Sequence, residues 1–502
     1  MIIKKDKSIG IWGFGIVGKA AVNYFHVQGY QLGIMDKRNP HEQEQDYIKE
    51  KKITWYYESQ QELFFNSYDF IIPSPGININ PDCYATHKDK WLFELDFFYS
   101  TFQKPIIAIT GSIGKTSTTY ILNELFKKLD IPVAMGGNIG IPTFDLIKQR
   151  NNVDYALLEV SSFQLNHCKT FAPHLAIWTN LHPNHLDHHT TEDKYFLAKE
   201  NIIAHQTKNH ISLVHFMLRN TITPPIAGHQ RSYFIATCPT MHELSLLTHD
   251  EQLYYIQTSP GARPACPTEP WRSREPVEGY LGVLEENNLE ISSVMRYAGG
   301  IHTPIMELTP ALHALSFIEN ILLITAVCDL LKLKNQALNA IATTIQLPEH
   351  RIEKISAINN VEFYNDSKAT TTASTLAAIK KLYPRPLHLF LGGLSKGVDR
   401  APFIAQLRNQ VKHIYCFGKE AESLHAVCIA NDIPATYFST LDDAIKACIL
   451  LVTSGDCVLL SPAGSSYDLY ENYEQRGKHF KELVMKYIES VRMVRQAHHE
   501  RE

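Results

Sequence analysis

Ile106 to Thr119 reads I-I-A-I-T-G-S-I-G-K-T-S-T-T. An apolar strand runs into Gly111 and Gly114, and Lys115 and Thr116 open a helix expected to reach Leu129. Glycines let successive backbone N–H groups curl around an anion, and the helix start adds donors and a favourable dipole. The lysine reaches the outer phosphates, and the Thr116 hydroxyl is placed to hold Mg²⁺. The spacing is the shorter T-G-x-x-G-K-T form, because Ile109 stands where the longer motif has its first glycine. The pattern predicts that Gly111, Ser112, Gly114, Lys115, Thr116 and Ser117 bind the phosphates of a nucleotide.

Outward from this loop, short apolar runs alternate with helical stretches through most of the chain. That alternation marks an α/β protein with parallel sheets covered by helices. Three domains are expected. Residues 1–104 form a Rossmann-like N-terminal domain, with strands Ile9 to Phe14 and Gln31 to Met35, the second ending at Asp36. Residues 105–346 form a central P-loop NTPase-like domain with a mostly parallel sheet and helices. Its strands are Pro105 to Thr110, Tyr155 to Val160 and Leu175 to Thr179, followed by a helix from Glu192 to His205 and an apolar helix from Pro310 to Leu333. Residues 347–490 form a Rossmann-like C-terminal domain with strands Leu387 to Leu391, Val411 to Phe417 and Cys457 to Leu460. Residues 259–278 are rich in proline, arginine and glutamate without apolar periodicity, and are expected to be a disordered insertion. Residues 491–502 are expected to be a disordered tail.

The bulk numbers agree with this division. A chain of 502 residues exceeds the size, about 250–300 residues, at which single cores stop growing. With 44% hydrophobic and 20% charged residues and a formal charge of -4, it is globular and has no general attraction to nucleic acid. No apolar run reaches the roughly 18–20 residues of a membrane span. Met1 to Lys7 leads straight into a strand rather than a signal-like segment, so a cytoplasmic protein without membrane insertion is expected. The 9 cysteines include no C-x-x-C pair, which points to reduced, buried thiols.

Other segments carry chemistry. Glu159 ends a strand, and His185 follows another in N-L-H-P-N-H-L-D. A carboxylate and an imidazole there suit a divalent cation bridging nucleotide and acyl substrate. The run His182, His185, His188, His189 with Asp187 leaves a dinuclear metallohydrolase open, although Pro183 stands where the usual spacing needs histidine. Gly13-Phe14-Gly15-Ile16-Val17-Gly18, with Asp36 ending the next strand, satisfies the dinucleotide fingerprint. That keeps a nicotinamide-dependent oxidoreductase as a second alternative.

Taken together, the segments resemble the muramyl ligase family. The carriers are the phosphate loop, Ser-Pro-Gly-Ile at Ser74 to Ile77, Asn-Ile-Gly at Asn138 to Gly140 and Glu-Val-Ser-Ser-Phe-Gln-Leu at Glu159 to Leu165. Asn-Asp-Ser-Lys-Ala-Thr at Asn365 to Thr370 and Glu-Gln-Arg-Gly at Glu474 to Gly477 complete them. The resemblance spans about Ile9 to Ser490, apart from the insertion. It implies an ATP-dependent ligase of peptidoglycan precursor synthesis that joins D-glutamate to UDP-N-acetylmuramoyl-L-alanine through an acyl phosphate. Another muramyl ligase or a folylpolyglutamate-type ligase is the nearest alternative.

The resemblance also implies roles. The nucleotide of the phosphate loop would be ATP. Lys115, Glu159, His185, Lys199 and Arg351 would be catalytic, with Asn320, Arg351 and Asp366 also on ATP. Gly15, Ile16, Val17, Asp36, Lys37, Ser74, Pro75, Gly76, Asn138, Ser161, Ser162 and Gln164 would hold the nucleotide-linked substrate. Lys368, Thr370, Lys396, Ser466 and Tyr473 would hold D-glutamate. Thr116, Glu159, His185 and Lys199, the last as a carbamate, would surround Mg²⁺ or Mn²⁺, and a monomer is expected. The chain departs from the family pattern in having Ile113 for asparagine, Leu315-Ser316-Phe317 for a glycine-x-histidine-asparagine motif, Tyr473 for phenylalanine and Asn184 for aspartate.

Overall fold

A computed structural model describes residues 3–218, 222, 231–236, 252–257, 292–298, 301–316 and 318–499. Three sheets organise them. β1 (Ser8–Trp12), β2 (Gln31–Asp36), β3 (Thr54–Tyr57) and β4 (Phe70–Pro73) form a parallel sheet in the order β3-β2-β1-β4. Every residue of β1 is buried, as expected of a strand covered on both faces, and this explains its continuous rather than alternating apolar run.

The second sheet contains β5 (Ile106–Thr110), β6 (Val133–Gly137), β7 (Tyr155–Glu159), β8 (Leu175–Trp178), β9 (Ile211–His215), β10 (Arg231–Ala236), β11 (Gln252–Gln257), β12 (Ser292–Ala298) and β13 (Ile301–Leu308). Its order is β13-β12-β11-β10-β9-β8-β5-β7-β6. From β6 to β11 the pairs are parallel, and β12 and β13 add antiparallel strands at one edge. The third sheet, in the order β14-β15-β19-β16-β17-β18, consists of β14 (Glu353–Ile358), β15 (Val361–Asn365), β16 (Leu387–Gly392), β17 (His413–Phe417), β18 (Ala435–Phe438) and β19 (Cys457–Leu460). It is parallel except where β14 pairs with β15.

The first two sheets belong to one compact unit, which runs to Leu181 and takes in the described residues of 193–260 and 290–345. Within it, one continuous core joins the two sheets. Phe25, Phe97 and Phe144 meet there, with ring centroids 5.1 Å apart for the first pair and 5.7 Å for Phe97 and Phe144. Each buried phenylalanine contributes about 1.5–3 kcal/mol. Glu94 is also buried at this junction; it accepts from Thr143 Oγ1 at 2.6 Å and from Gln164 Nε2 at 3.3 Å. Burial raises its pKa. The second unit holds the third sheet from Gln346 onward and also takes His182–Glu192.

Two expectations need correction. The apolar stretch from Pro310 to Leu333 is two helices, Pro310–Leu315 and Ile318–Leu330. Ser316 is extended between them, and its hydroxyl accepts from Asn320 Nδ2 at 2.9 Å. The stretch from Val491 is not irregular, because the helix Tyr473–His499 continues through it. No glycine or proline lies there to stop a helix. Residues 259–278 lie outside the described residues. Cys168, Cys328, Cys416, Cys428, Cys448 and Cys457 are free and buried, and Cys83 is partly so. No helix among the described residues is long and apolar enough to cross a membrane.

Candidate active site

The phosphate loop turns out of β5 through Gly111 at φ +146° and Gly114 at φ +85°. Both positions need glycine for space as well as conformation. A Cβ on Gly111 would lie 1.9 Å from Thr179 Oγ1, and one on Gly114 would lie 2.4 Å from Asn320 Oδ1. The end of β8 braces the loop. Ile113 N–H donates to Asn180 Oδ1 at 3.0 Å, while Ile113 O accepts from Thr179 Oγ1 at 2.7 Å and from Asn180 Nδ2 at 3.2 Å. These bonds use only the backbone of Ile113, so the loop keeps them whatever side chain that position carries.

Two lysines meet over the loop. Lys115 Nζ donates to Gly111 O at 2.7 Å and to Ser112 O at 3.3 Å. Lys199, 1% exposed on the helix Glu192–Ala204, donates to the same Gly111 O at 2.9 Å and to Thr110 Oγ1 at 3.3 Å. Burial, reinforced by the neighbouring Lys115 charge and opposed by Glu159, drives the Lys199 amine well below its ordinary pKa. Tyr195 OH lies 3.1 Å from Ser112 Oγ on the same side.

Glu159 ends β7 beside this loop and is 2% exposed. One oxygen, Oε1, accepts from Asn138 Nδ2 at 2.8 Å. The other, Oε2, is buried with no hydrogen-bond partner among the described residues. A buried anionic oxygen in that condition is costly unless a cation meets it. With the buried Thr116 hydroxyl at the helix start, the donor set fits a hard divalent ion. Ser161 and Gln164 sit just beyond, at the helix Ser162–Leu165. Gln164 Oε1 accepts from Ser161 N at 3.0 Å and its Nε2 donates to Glu94, so its amide already holds local structure.

At the ends of β1, β2 and β4, Asp36 Oδ2 accepts from Phe14 N at 2.7 Å and Ser74 Oγ donates to Gly13 O at 2.9 Å. The structure thus gathers the first glycine turn, Asp36 and Ser74, and leaves Ile16 78% exposed at the rim. Asn138, expected on the same substrate, donates from Nδ2 to Glu159 Oε1 at 2.8 Å.

His185 belongs to the second unit. Its φ is +56°, its N–H donates to Asn184 Oδ1 at 3.0 Å, and the following Asp187 N donates to Lys396 O at 3.2 Å. Burial lowers the pKa of neighbouring His182 to about 4. Among the described residues no three His, Cys, Asp or Glu gather as a metal cluster.

Asp366 follows β15 in this unit. It accepts from Ser461 Oγ at 2.8 Å and from Ile352 N at 3.2 Å. Burial raises its pKa to about 7, against those bonds and the Arg351 charge. Lys396 Nζ donates to Thr370 Oγ1 at 3.0 Å, and Lys368 Nζ lies 4.9 Å from the centre of the Tyr473 ring. The substitution of tyrosine at 473 therefore keeps an aromatic face under Lys368.

Comparison with known proteins now decides the family. The model of the Mur ligase MurD-like N-terminal domain matches residues 7–90, that of the Mur ligase middle domain 109–223, and that of the Mur ligase glutamate ligase domain 350–464. The chain belongs to the Mur ligase family. Members are ATP-dependent, amide-bond-forming ligases, and the oxidoreductase alternative falls with that assignment. Relatives named UDP-N-acetylmuramoylalanine–D-glutamate ligase include one from Acidobacterium capsulatum, 29% identical over 486 residues and 96% of each chain. Another, from Christiangramia forsetii, is 29% identical, covering 95% of this chain and 99% of that one.

Solved Mur ligases share the fold. The UDP-N-acetylmuramate–alanine ligase of Thermotoga maritima superposes with a TM-score of 0.54 at 15% identity, covering 96% of this chain and all 100% of that one. The MurF ligase of Thermotoga maritima, solved with ADP, gives 0.54 at 16% identity over 96% of each chain. Sequence reasoning about this Mur ligase missed Thr179, Asn180 and Tyr195, which shape the loop from other segments. The one signal available for Asn180 was its place just past a buried parallel strand, where ligand loops form.

Proposed function

We propose that this Mur ligase joins the amine of D-glutamate to the alanyl carboxylate of UDP-N-acetylmuramoyl-L-alanine, with ATP converted to ADP and phosphate. The supporting observation is near-full-length similarity to enzymes that bear this one name. It is joined by retention of Lys115, Glu159, His185, Lys199 and Arg351.

A free carboxylate acylates poorly because its leaving group is oxide. The alanyl carboxylate therefore attacks the γ-phosphate of ATP, and Lys115 and Arg351 offset charge on the transferring group. The resulting acyl phosphate is attacked at carbon by the D-glutamate amine, whose two carboxylates suit Lys368, Lys396, Thr370, Ser466 and Tyr473. Phosphate leaves from the tetrahedral intermediate. Gly15, Ile16, Val17, Asp36, Lys37 and Ser74 to Gly76 hold the uridine diphosphate end in this reading. Asn320 and Asp366 attend the nucleotide.

Thr116, Glu159, His185 and Lys199 would hold Mg²⁺ or Mn²⁺, which when bound neutralises phosphate charge. Lys199 enters as a carbamate. A neutral amine is the form that adds carbon dioxide, and burial favours that form here. Both substrates and ATP are cytoplasmic metabolites and the residues named lie on one chain, so a cytoplasmic monomer suffices.

The test is ADP release with UDP-N-acetylmuramoyl-L-alanine and a panel of D-glutamate, L-alanine, L-lysine, diaminopimelate and a glutamylated folate acceptor. Release is expected only with the muramoyl nucleotide and D-glutamate together. ADP formed without dependence on either, or preference for another amine, would overturn the assignment.

A further inference from the structure

Three loops leave the carboxyl ends of β15, β16 and β19, and between them they carry Lys368, Thr370, Lys396 and Ser466. Two buried arginines grip their carbonyls. Arg476, 0% exposed, donates from Nε to Ser367 Oγ at 3.0 Å and from Nη2 to Ser367 O at 2.8 Å. Its Nη1 and Nη2 both reach Gly464 O at 3.1 Å. Arg400 donates to Gly392 O at 3.1 Å and to Gly393 O at 3.2 Å. The packing leaves no slack. A Cβ on Gly393, whose φ is +71°, would lie 2.0 Å from Ser465 O and 3.0 Å from Arg476 Nη1.

The two arginines differ in charge balance. Arg400 pairs with the Glu420 carboxylate, which also accepts from Ser395 N at 3.0 Å. Arg476 forms no ion pair among the described residues, and its hydrogen-bond acceptors are carbonyls and one hydroxyl. Burial lowers the pKa of this guanidinium to about 10, against the opposing charge of nearby Asp468. Three groups of donors in a planar fork nevertheless fix the Ser367 and Gly464 loops to each other in a way an ammonium group does not.

We infer that Arg476 is a positioning residue for the incoming amino acid, holding the loops of Lys368, Thr370 and Ser466 in register. The inference rests on the assignment of those residues to the amine substrate. It separates Arg476 from the phosphate chemistry, which is the business of Lys115 and Arg351.

The test is steady-state kinetics of the full chain with each substrate varied in turn, after the amine panel has established which amino acid the wild type uses. Arg476→Lys keeps the charge but loses the fork. It is expected to raise KM for that amine by roughly tenfold or more, the scale of losing charge-assisted hydrogen bonds, with KM for ATP and for the muramoyl nucleotide changed less than about twofold. Ser367→Ala removes the hydroxyl that accepts from Nε and donates to Tyr473 O at 2.8 Å, and is expected to raise the same KM by about threefold, which keeps the question open to measurement if Arg476→Lys does not fold. A rise in all three KM values together marks a merely structural arginine and overturns the inference, as does an unchanged amine KM in Ser367→Ala and Arg476→Lys. If the wild type prefers an amine other than D-glutamate, the substrate assignment fails while Arg476 is still judged on the KM of the amine accepted.

Discussion

Lys115 Nζ and Lys199 Nζ converge on one acceptor, the carbonyl oxygen of Gly111, at 2.7 and 2.9 Å. Two ammonium groups so placed repel, and burial adds to the pressure on Lys199 to shed its proton. Lys199→Ala is expected to lose about 10²-fold of ligation rate, the scale of removing a metal-site partner. A small added carboxylate such as acetate should return part of it, by supplying the anionic oxygens of the carbamate. Wild-type turnover by Lys199→Ala would end the carbamate reading.

The Glu159 oxygen that lacks a hydrogen-bond partner among the described residues sets a second expectation. Chelation should abolish ADP release, and added Mg²⁺ or Mn²⁺ should restore it. Glu159→Gln, which replaces that oxygen's charge, should require more cation for half-maximal rate. A half-maximal concentration equal to that of the wild type would remove Glu159 from the cation site.

Asn180 accepts from the N–H of Ile113 and donates to its carbonyl. Asn180→Ala removes two neutral hydrogen bonds, together about 1–3 kcal/mol. The expected outcome is an ATP KM raised by roughly tenfold, with the helical circular dichroism signal intact. An unaltered ATP KM would show that Thr179 alone suffices to brace the loop.

Asp366 supplies a pH test. Its carboxyl is raised from 3.8 to about 7 by burial, so between those values the folded chain binds more protons than the unfolded one. Stability from this group is therefore full below about pH 4 and is lost as the pH rises through 7, by at most about 4 kcal/mol. Asp366→Asn cannot ionise. Its melting temperature is expected to gain on the wild type between pH 5 and 8 and to run parallel to it below pH 4. Parallel curves across the whole range would mean that Asp366 ionises freely in the fold.

The parts of the site that sequence disclosed were local. A strand followed by Gly111, Gly114, Lys115 and Thr116 must turn in one way, and β5 and the helix Lys115–Lys128 lie within a residue of the expected bounds. Asp36 at the end of β2 and Glu159 at the end of β7 were legible for the same reason. What stayed hidden depends on segments distant in sequence. Asn180 lies 67 positions from Ile113, and Arg476 lies 109 from Ser367. The break at Ser316 was also invisible, because apolar residues flank it on both sides and the signal is a hydroxyl bond to Asn320. The continued helix beyond Val491 misled for the opposite reason, since polar composition resembles a loop while its residues tolerate helix well.

In all three sheets the strands whose tips matter run parallel, so recognition loops hang from one edge of each sheet while the apolar cores lie behind them. Drift in a loop then leaves the load on the core untouched. If the tips after β15, β16 and β19 select the amine as proposed, an exchange of amino-acid preference needs edits at those few tips while the loop after β5 is inherited whole, which makes such a scaffold readily diversified into siblings that share one chemistry.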